Sequence, residues 1–581
     1  MRTNSNVFLT PIISHPDFET QPHNNIMFKQ FIRAKLDDVL MPWAREHHIE
    51  TLPPYALDEP PKNIDADLAS NIAMLAAKTL NTNPRKLAEE LSVLITSALP
   101  GIVDRIEIAG AGFLNLKLSN AFLTGQLRRI LIERDNAGRR EVPPDESILV
   151  EFVSANPTGP LHIGHGRGAA IGDSLARIYT YLGFDVTREY YLNDVGNQME
   201  MLGRSLEARY LQLSGENVEF PADGYQGEYM RDIANKLVAQ HGAGSRDINF
   251  KEVALDAMMA TIARDLKDFS VTFDTWFSES AIALERDENG KTSVDRICAW
   301  LTEKGFAYEQ EGALWFASTR FGDDKDRVLK RSDGRYTYLA SDIAYHRNKL
   351  ERGFDRLVNL WGADHHGYVP RMKAAVQALG ASPAKLTIIL YQLVSLARDG
   401  KPVTMSTRSG EFVTLEDVVK EVGRDACRFF FMLRAPDSPL EFDLELAKKQ
   451  SSENPVFYVQ YVHARCCSIF KESRNFNIKG RSARADEAPL ALLLTPEELA
   501  LIRKLISFED TLELCARSAS PHHLTMYLMG IADQFHRFYE RCRVLGDDFE
   551  LSRARLALVS AVSIVIRNGL DLLGVSAPER M

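Results

Sequence analysis

The sequence predicts a multidomain α/β protein. A parallel-sheet domain split by a helical insertion should follow a small α+β domain and precede an all-α domain. Three observations carry this. The chain has 581 residues, and a domain size of about 150 residues implies about three to five domains. Strand and helix patterns alternate over two separated stretches, Ile148 to Tyr191 and Asp342 to Tyr391, with charged helical sequence between them; such alternation implies a parallel sheet. From Leu415 onward almost every stretch has the apolar spacing of an amphipathic helix.

The first unit spans residues 1–120. Asp67 to Leu80 and Asn83 to Leu99 read as helices, the second with Pro84 in its first turn. Ile106 to Leu118 alternates like a strand around Gly110-Ala111-Gly112. Residues 121–145 form a linker helix that ends in a stretch containing Gly138, Pro143 and Pro144. The sheet domain spans 146–405. It opens with strand Ile148 to Val153, helix Gly166 to Leu182 (Ile171, Leu175, Ile178 and Leu182 at helical spacing) and strand Asp185 to Tyr191. An insertion about 199–335 follows, helical to Lys304, with short strands at Ala307 to Ala317 and Tyr336 to Tyr338. Helix Asp342 to Glu351, strand Leu357 to Leu360, helix Pro370 to Leu379 and strand Leu386 to Tyr391 resume the alternation. Residues 406–451 read as a loop with connecting helices. Glu453-Asn454-Pro455 opens the helical unit 452–581, where Leu556, Val559, Val562 and Ile566 mark one buried stripe.

Hydrophobic content of 45% and charged content of 25% fit a globular chain. No apolar run is long enough to span a bilayer, so no membrane partner is expected. Met1 to Asp17 does not read as a signal peptide. Six cysteines without a Cys-x-x-Cys pair argue against a disulfide framework or a structural zinc site, and the expected location is the cytoplasm. A net charge of −10 does not mark a general nucleic-acid binder, although a local basic face can still bind phosphate.

The most informative stretch is Asn156-Pro157-Thr158-Gly159-Pro160-Leu161-His162-Ile163-Gly164-His165, on the turn between the first strand and its helix. A helix start offers N–H groups and a positive dipole end to an anion such as phosphate. Gly164 leaves room for a ligand on the backbone, and the imidazoles of His162 and His165 can donate to phosphate oxygens. The plainer reading is ordinary turn histidines or half of a metal site. Asp364-His365-His366 also hints at a metal but has no partner at ligand spacing. Gly110-Ala111-Gly112 and Gly164-His165-Gly166-Arg167-Gly168 are incomplete as dinucleotide fingerprints.

The turn resembles the His-x-Gly-His signature of class I aminoacyl-tRNA synthetases. Five segments in order resemble the arginyl-tRNA synthetase family more specifically. They are Val150-Glu151-Phe152 through His165, Arg188-Glu189-Tyr190-Tyr191-Leu192-Asn193-Asp194, Trp361-Gly362-Ala363-Asp364-His365-His366-Gly367, Met405-Ser406-Thr407-Arg408, and Gly574-Val575-Ser576-Ala577-Pro578-Glu579-Arg580-Met581. The resemblance implies a Rossmann-like catalytic domain, an N-terminal module for the tRNA elbow and a helical anticodon-binding domain. It implies ATP as substrate with Mg²⁺, L-arginine and tRNA(Arg) as partners, an arginyl-adenylate intermediate and a monomeric enzyme.

By the same resemblance, His162, Gly164, His165, Gly362, Asp364 and His365 serve ATP, and Met405, Ser406 and Arg408 stand in the second signature. Glu151 and Asp342 grip the guanidinium, as its planar fork favours. Tyr338 walls it, and Asn156 matches a position that holds the amino-acid end. Asn193 is a further candidate for arginine because it lies at the next strand end, on the rim where ligands collect. Phe113 and Asn115 in the first unit are assigned to tRNA. So are Tyr458, Gln460, Tyr461, His463, Arg465, His536, Phe538, Tyr539 and Arg543 in the last. Two plainer readings stay open: Glu151 as a structural partner of a strand-end arginine such as Arg188, and Asp342 as a helix N-cap.

The family's second signature is Lys-Met-Ser-Lys-Ser, and here Thr404-Met405-Ser406-Thr407-Arg408 lacks both lysines. The cations nearby are Arg398, Lys401 and Arg408, and Arg408, next to the Met-Ser pair, is the expected replacement. Two other functions remain. A tRNA-independent nucleotidyl transferase of the same superfamily needs no anticodon module; a non-catalytic tRNA-binding paralogue needs no intact histidine turn.

Overall fold

The computed structural model describes residues 28–61, 64–140, 142–403, 413–474 and 487–581. Its centre is a five-stranded, wholly parallel sheet. The strands are β1 (Ser147–Glu151), β2 (Asp185–Leu192), β3 (Thr275–Ser278), β4 (Arg356–Gly362) and β5 (Leu386–Tyr391). Their order is β5-β4-β1-β2-β3, so the sequence of strands reverses between β1 and β4, where ligands collect in such sheets. Ile148, Leu149 and Val150 of β1 are each 0% exposed, which contributes about 1.5–3 kcal/mol per side chain.

The helix α1 (Ile163–Tyr181) covers one face. It lies so close that a Cβ on Gly172 would come within 2.3 Å of the Phe152 ring. The helix α2 (Tyr338–Glu351) covers the other, together with Leu149, Leu357 and Leu386.

Strand β3 corrects the expected insertion about 199–335. Its four residues return to the sheet as an edge strand, so the chain leaves the sheet twice. The first excursion is three helices, Asn197–Leu213, Glu228–His241 and Phe250–Asp268, with a core of their own. The second holds helix Ser293–Glu303 and an antiparallel three-stranded sheet, Ala307–Gln310, Ala313–Phe316 and Arg327–Lys330. Tyr338, expected in a strand, is the first residue of α2.

Ahead of the sheet, helices Phe28–Glu46, Ile72–Leu80 and Pro84–Ala98 pack on an antiparallel sheet of Leu57–Asp58, Leu68–Ser70, Phe113–Leu118 and Val103–Ala109. The alternation expected as one strand is a hairpin. Helix Asn120–Glu133 then runs along the C-terminal unit: Arg128 Nη2 donates to Ala488 O at 3.0 Å and Arg129 Nη2 to Glu509 at 3.2 Å.

Beyond the sheet, Leu440–Asp443 is a strand within the stretch expected to be helical; it pairs with Val394–Arg398. The helix α3 (Arg424–Phe431) follows helix Leu415–Val422, and the C-terminal unit includes α4 (Pro455–Ser473) and α5 (His522–Arg541). Arg428 of α3 is 0% exposed and joins four segments. It donates to Asp173 Oδ2 of α1 at 2.6 Å, Leu573 O at 2.8 Å, Phe269 O at 3.0 Å and Ser174 Oγ at 3.4 Å. Gly574 has φ +65, and a Cβ there would lie 2.4 Å from the Arg428 Cζ. The chain end continues along α4: Gln460 Nε2 donates to Ser576 O at 2.9 Å and His463 Nδ1 to Pro578 O at 3.0 Å. Among the described residues, no helix is long and apolar enough to cross a membrane.

Candidate active site

The signature turn is built as a helix cap. Helix α1 starts at Ile163, earlier than the spacing predicted, with His162 as N-cap. His162 Nδ1 accepts from Gly164 N at 3.1 Å and His165 N at 3.3 Å, and His165 Nδ1 accepts from His162 N at 3.3 Å. Imidazoles thus play the reciprocal capping roles that Ser and Glu usually fill. The first-turn amides expected to meet an anion are therefore occupied, and anion contact passes to the rings. Each Nδ1 accepts, so each neutral ring carries its proton on Nε2. The rings stack with centroids 3.6 Å apart. Burial, then His162, lowers His165 to about 3, and burial lowers His162 as well. Both are neutral donors near pH 7.

The turn is reached through two left-handed residues, Val153 at φ 68 and Ser154 at φ 42. A β-branched residue there costs of order 1–3 kcal/mol. The bend aims Ser154 Oγ at Glu151 Oε1, 3.2 Å away, and lets it accept from Tyr191 N at 3.1 Å. The start of helix Leu415–Val422 docks on the same turn: Leu415 N donates to Leu161 O at 2.7 Å, and its N-cap Thr414 bridges to His162.

At the carboxyl end of the sheet, Glu189, Glu151 and Asn359 stand in register across β2, β1 and β4. All three are buried. Helix α2 faces them with Asp342, Tyr345, His346, Lys349 and Arg352. Arg352 grips Glu189 with Nη1 at 2.6 Å and Nη2 at 2.9 Å, and Tyr345 OH donates to it at 2.5 Å. Lys349 Nζ pairs with Glu151 Oε2. Arg188, the partner weighed for Glu151, instead lies 3.8 Å from Asp274, because its side chain alternates with that of Glu189 along β2.

Three further carboxylates, Glu279, Asp342 and Asp194, converge with Glu151 around Tyr191. Burial raises Tyr191 far above its usual range, followed by Glu279, Asp342, Glu151 and Asp194. Glu279 is pushed up to about 7 by burial, then by Asp342 and Asp194. Asp342 is pushed up to about 6 by burial; the Tyr368 hydroxyl, which donates to it, opposes the rise. With its amide nitrogen toward Glu279 Oε2, Asn193 donates at 3.0 Å. Asp194 accepts from Ser280 N at 3.0 Å. Asn156 Nδ2 donates to Gln198 Oε1 at 3.0 Å on the exposed rim. Glu279, Glu189 and Lys349 were missed from sequence; the one signal was the Asp342, Tyr345, His346, Lys349 spacing along one face of a helix.

Asp342 is not an N-cap; Thr337 is. Tyr338 is 77% exposed and forms no ready-made wall, since it stands at the open end of α2. Gly362 ends β4, and Asp364 and His365 follow on the rim, 3.5 Å apart. Met405, Ser406 and Arg408 lie outside the described residues. Of the other cations, Arg398 is paired with Glu445 and, at 2.7 Å, Glu421, and Lys401 is exposed.

In the C-terminal unit, Tyr458 stacks on His536 at 4.7 Å, and Tyr461 lies 6.0 Å from the same ring. The Arg465 guanidinium sits 5.2 Å from the Tyr461 ring and 5.4 Å from Tyr539. Arg543 is exposed beyond α5. Gln460, His463 and Phe538 are corrected: all are buried, the first two because they hold the chain end. Phe113 is 43% exposed, whereas Asn115, on the same face of its strand, is 3% exposed and offers no free side chain to a tRNA.

Residues 27–118 match the arginyl tRNA synthetase N terminal domain family, 126–433 the tRNA synthetases class I (R) catalytic domain family, and 459–581 the DALR anticodon binding domain family. An arginine–tRNA ligase of Desulfosudis oleivorans is 50% identical over 536 residues, covering 91% of this chain and 95% of that protein. One of Syntrophotalea carbinolica is 48% identical, covering 95% of this chain and 100% of that protein. The arginyl-tRNA synthetase structure of Thermus thermophilus superposes with TM-score 0.73 over 96% of this chain and 100% of that one, at 22% identity, a likeness of fold.

Proposed function

The chain belongs to the arginyl-tRNA synthetase family, and from that premise we infer how its own residues ligate L-arginine to tRNA(Arg) with ATP. The observation that carries the reading is the juxtaposition, at one end of the sheet, of neutral Nε2–H donors on His162 and His165 with the carboxylates around Tyr191. A guanidinium requires ionised planar partners, and Asp342, Glu151, Glu279 and Asp194 supply them. Tyr338, one turn before Asp342, closes over the bound side chain. Asn156 and Asn193 hold the amino-acid end.

The arginine carboxylate then attacks the α-phosphorus of ATP, the bond to pyrophosphate breaks, and arginyl-adenylate forms. The imidazoles donate as charge builds on the phosphate oxygens, so they raise rate more than affinity. Gly362, Asp364 and His365 line the nucleotide side. Neutral histidines add no charge, and Arg408 supplies the missing cation. The terminal ribose hydroxyl of the tRNA next attacks the arginyl carbonyl, and AMP leaves. The Arg465 cluster and Arg543 take anticodon bases, and Phe113 touches the tRNA elbow. Among the described residues, no three His, Cys, Asp or Glu side chains are arranged to hold a metal ion, and no step here runs through Mg²⁺. The enzyme is read as a cytoplasmic monomer.

Arginine-dependent ATP–pyrophosphate exchange, run with and without tRNA, tests the activity. Exchange with arginine and none with lysine is expected. Absence of exchange with tRNA present would leave only a tRNA-binding role.

A further inference from the structure

Lys349 is 0% exposed, an unusual place for an ammonium. Each of its three donor directions is met. Glu151 Oε2 takes one, Asn359 Oδ1 takes the second at 3.0 Å, and the Tyr345 ring lies 4.4 Å away on the third. The Asn359 amide is itself locked. Its Nδ2 faces His346 Nε2 at 3.0 Å, and His346 Nδ1 stands 2.8 Å from Asp342 O. A carbonyl only accepts, so Nδ1 carries the proton and Nε2 accepts from Asn359. Burial, then Lys349, lowers His346 to about 3, which keeps it in that neutral form. Every bond in the chain Lys349, Asn359, His346, Asp342 thus has one possible polarity.

This chain joins the two carboxylates read as the arginine grip. It runs behind them, from the back of Glu151 to the backbone of the residue that carries the Asp342 carboxylate. Without Lys349, Glu151 would face the Asp342 charge with only the more distant Arg352, which is already bonded to Glu189, to compensate it, and like charges disfavour each other's ionised form. We propose that Lys349 is a positioning residue for arginine selection, holding the Glu151 carboxylate from behind, through the Asn359–His346 lock, in the orientation that meets the substrate guanidinium. The substrate does not touch Lys349. The inference rests on Glu151 binding the arginine side chain.

The test is pyrophosphate exchange by the full chain with tRNA present, comparing Lys349→Met, Glu151→Gln and the double variant. Misplacing a gripping group costs on the order of tenfold to a hundredfold. Lys349→Met should raise the KM for arginine by that factor and leave the KM for ATP unchanged. In the Glu151→Gln background the same substitution should add nothing, since its effect runs through Glu151. Equal effects in both backgrounds, a silent Lys349→Met, or a joint rise in both KM values overturn the proposal. If Lys349→Met does not fold, the double variant decides, because it buries no uncompensated charge. An arginine KM equal to that of Glu151→Gln supports the proposal, and a further tenfold rise overturns it. A Glu151→Gln variant with unchanged arginine KM defeats the reading beneath; a sensitive Glu151 with a silent Lys349 defeats this inference alone.

Discussion

The Tyr368 hydroxyl donates to Oδ2 of Asp342, tying the turn after β4, on the nucleotide side, to the carboxylate on the arginine side. This bond opposes the rise that burial imposes on Asp342, which stands at about 6, while Glu279 stands at about 7. As pH falls through that window both take up protons and lose the charge that holds a guanidinium. The kcat/KM for arginine should therefore fall on the acid side between about 7 and about 6, and Tyr368→Phe should move that limb to higher pH. An unmoved limb would remove Asp342 from it. For stability the sign is opposite. The folded chain holds these protons more tightly than the unfolded chain, so their contribution is greatest below the ordinary carboxylate range and is lost as pH rises through about 7. Melting temperature against pH, with and without arginine, checks this.

Asp342→Asn preserves shape and removes charge. It should weaken arginine selection by about 2–5 kcal/mol, as for one side of a buried charge pair. Titrating ATP separately should give wild-type affinity. An unchanged arginine KM would take Asp342 out of the grip.

His165→Ala should lower exchange by about tenfold to a thousandfold, the range for losing one positioned donor to developing charge. Arginine binding measured alone should hardly change. Because His165 Nδ1 also caps His162 N, His165→Asn, which retains an acceptor for that bond, should recover fold stability without recovering rate. Wild-type exchange by His165→Ala would make the turn purely structural.

Arg465→Ala removes the cation between Tyr461 and Tyr539. Apparent tRNA binding should weaken by about 1–3 kcal/mol, the range for one stacked base. At saturating tRNA the arginine KM should stay where it was. Unaltered tRNA binding would assign the cluster to packing between α4 and α5.

Arg428→Met breaks a buried ion pair and should cost about 3–5 kcal/mol, reduced because Arg177 still reaches Asp173 at 2.7 Å. Denaturant unfolding measures it. Pairing it with Asp173→Asn should recover part of the loss. A single variant as stable as wild type would mean that water replaces the guanidinium.

The parallel sheet and the histidine turn were legible because both are local. An apolar strand, a glycine-rich turn and a periodic helix lie within one stretch of chain. The polar seam was not. Lys349 and Glu151 stand 198 residues apart, and a lysine on a charged helix reads as solvated until the sheet is seen behind it. Glu279 was hidden because Thr275–Ser278 is too short to show a period inside a helical region. Gln460 and His463 lie two and five positions after Tyr458, off the α4 face that Tyr458 shares with Tyr461 and Arg465, and the chain end that covers them comes over a hundred residues later.

That late closure has a consequence during synthesis. The guanidinium of Arg428 is made 145 residues before the carbonyl of Leu573 that completes its shell. A ribosome-bound chain that has not yet released Leu573 holds a buried arginine with an open side, next to the helix that carries His162 and His165. The nascent catalytic unit is thus expected to remain loosely packed until the last helix docks. Translation order itself would then delay arginine activation until the tRNA-reading unit is in place.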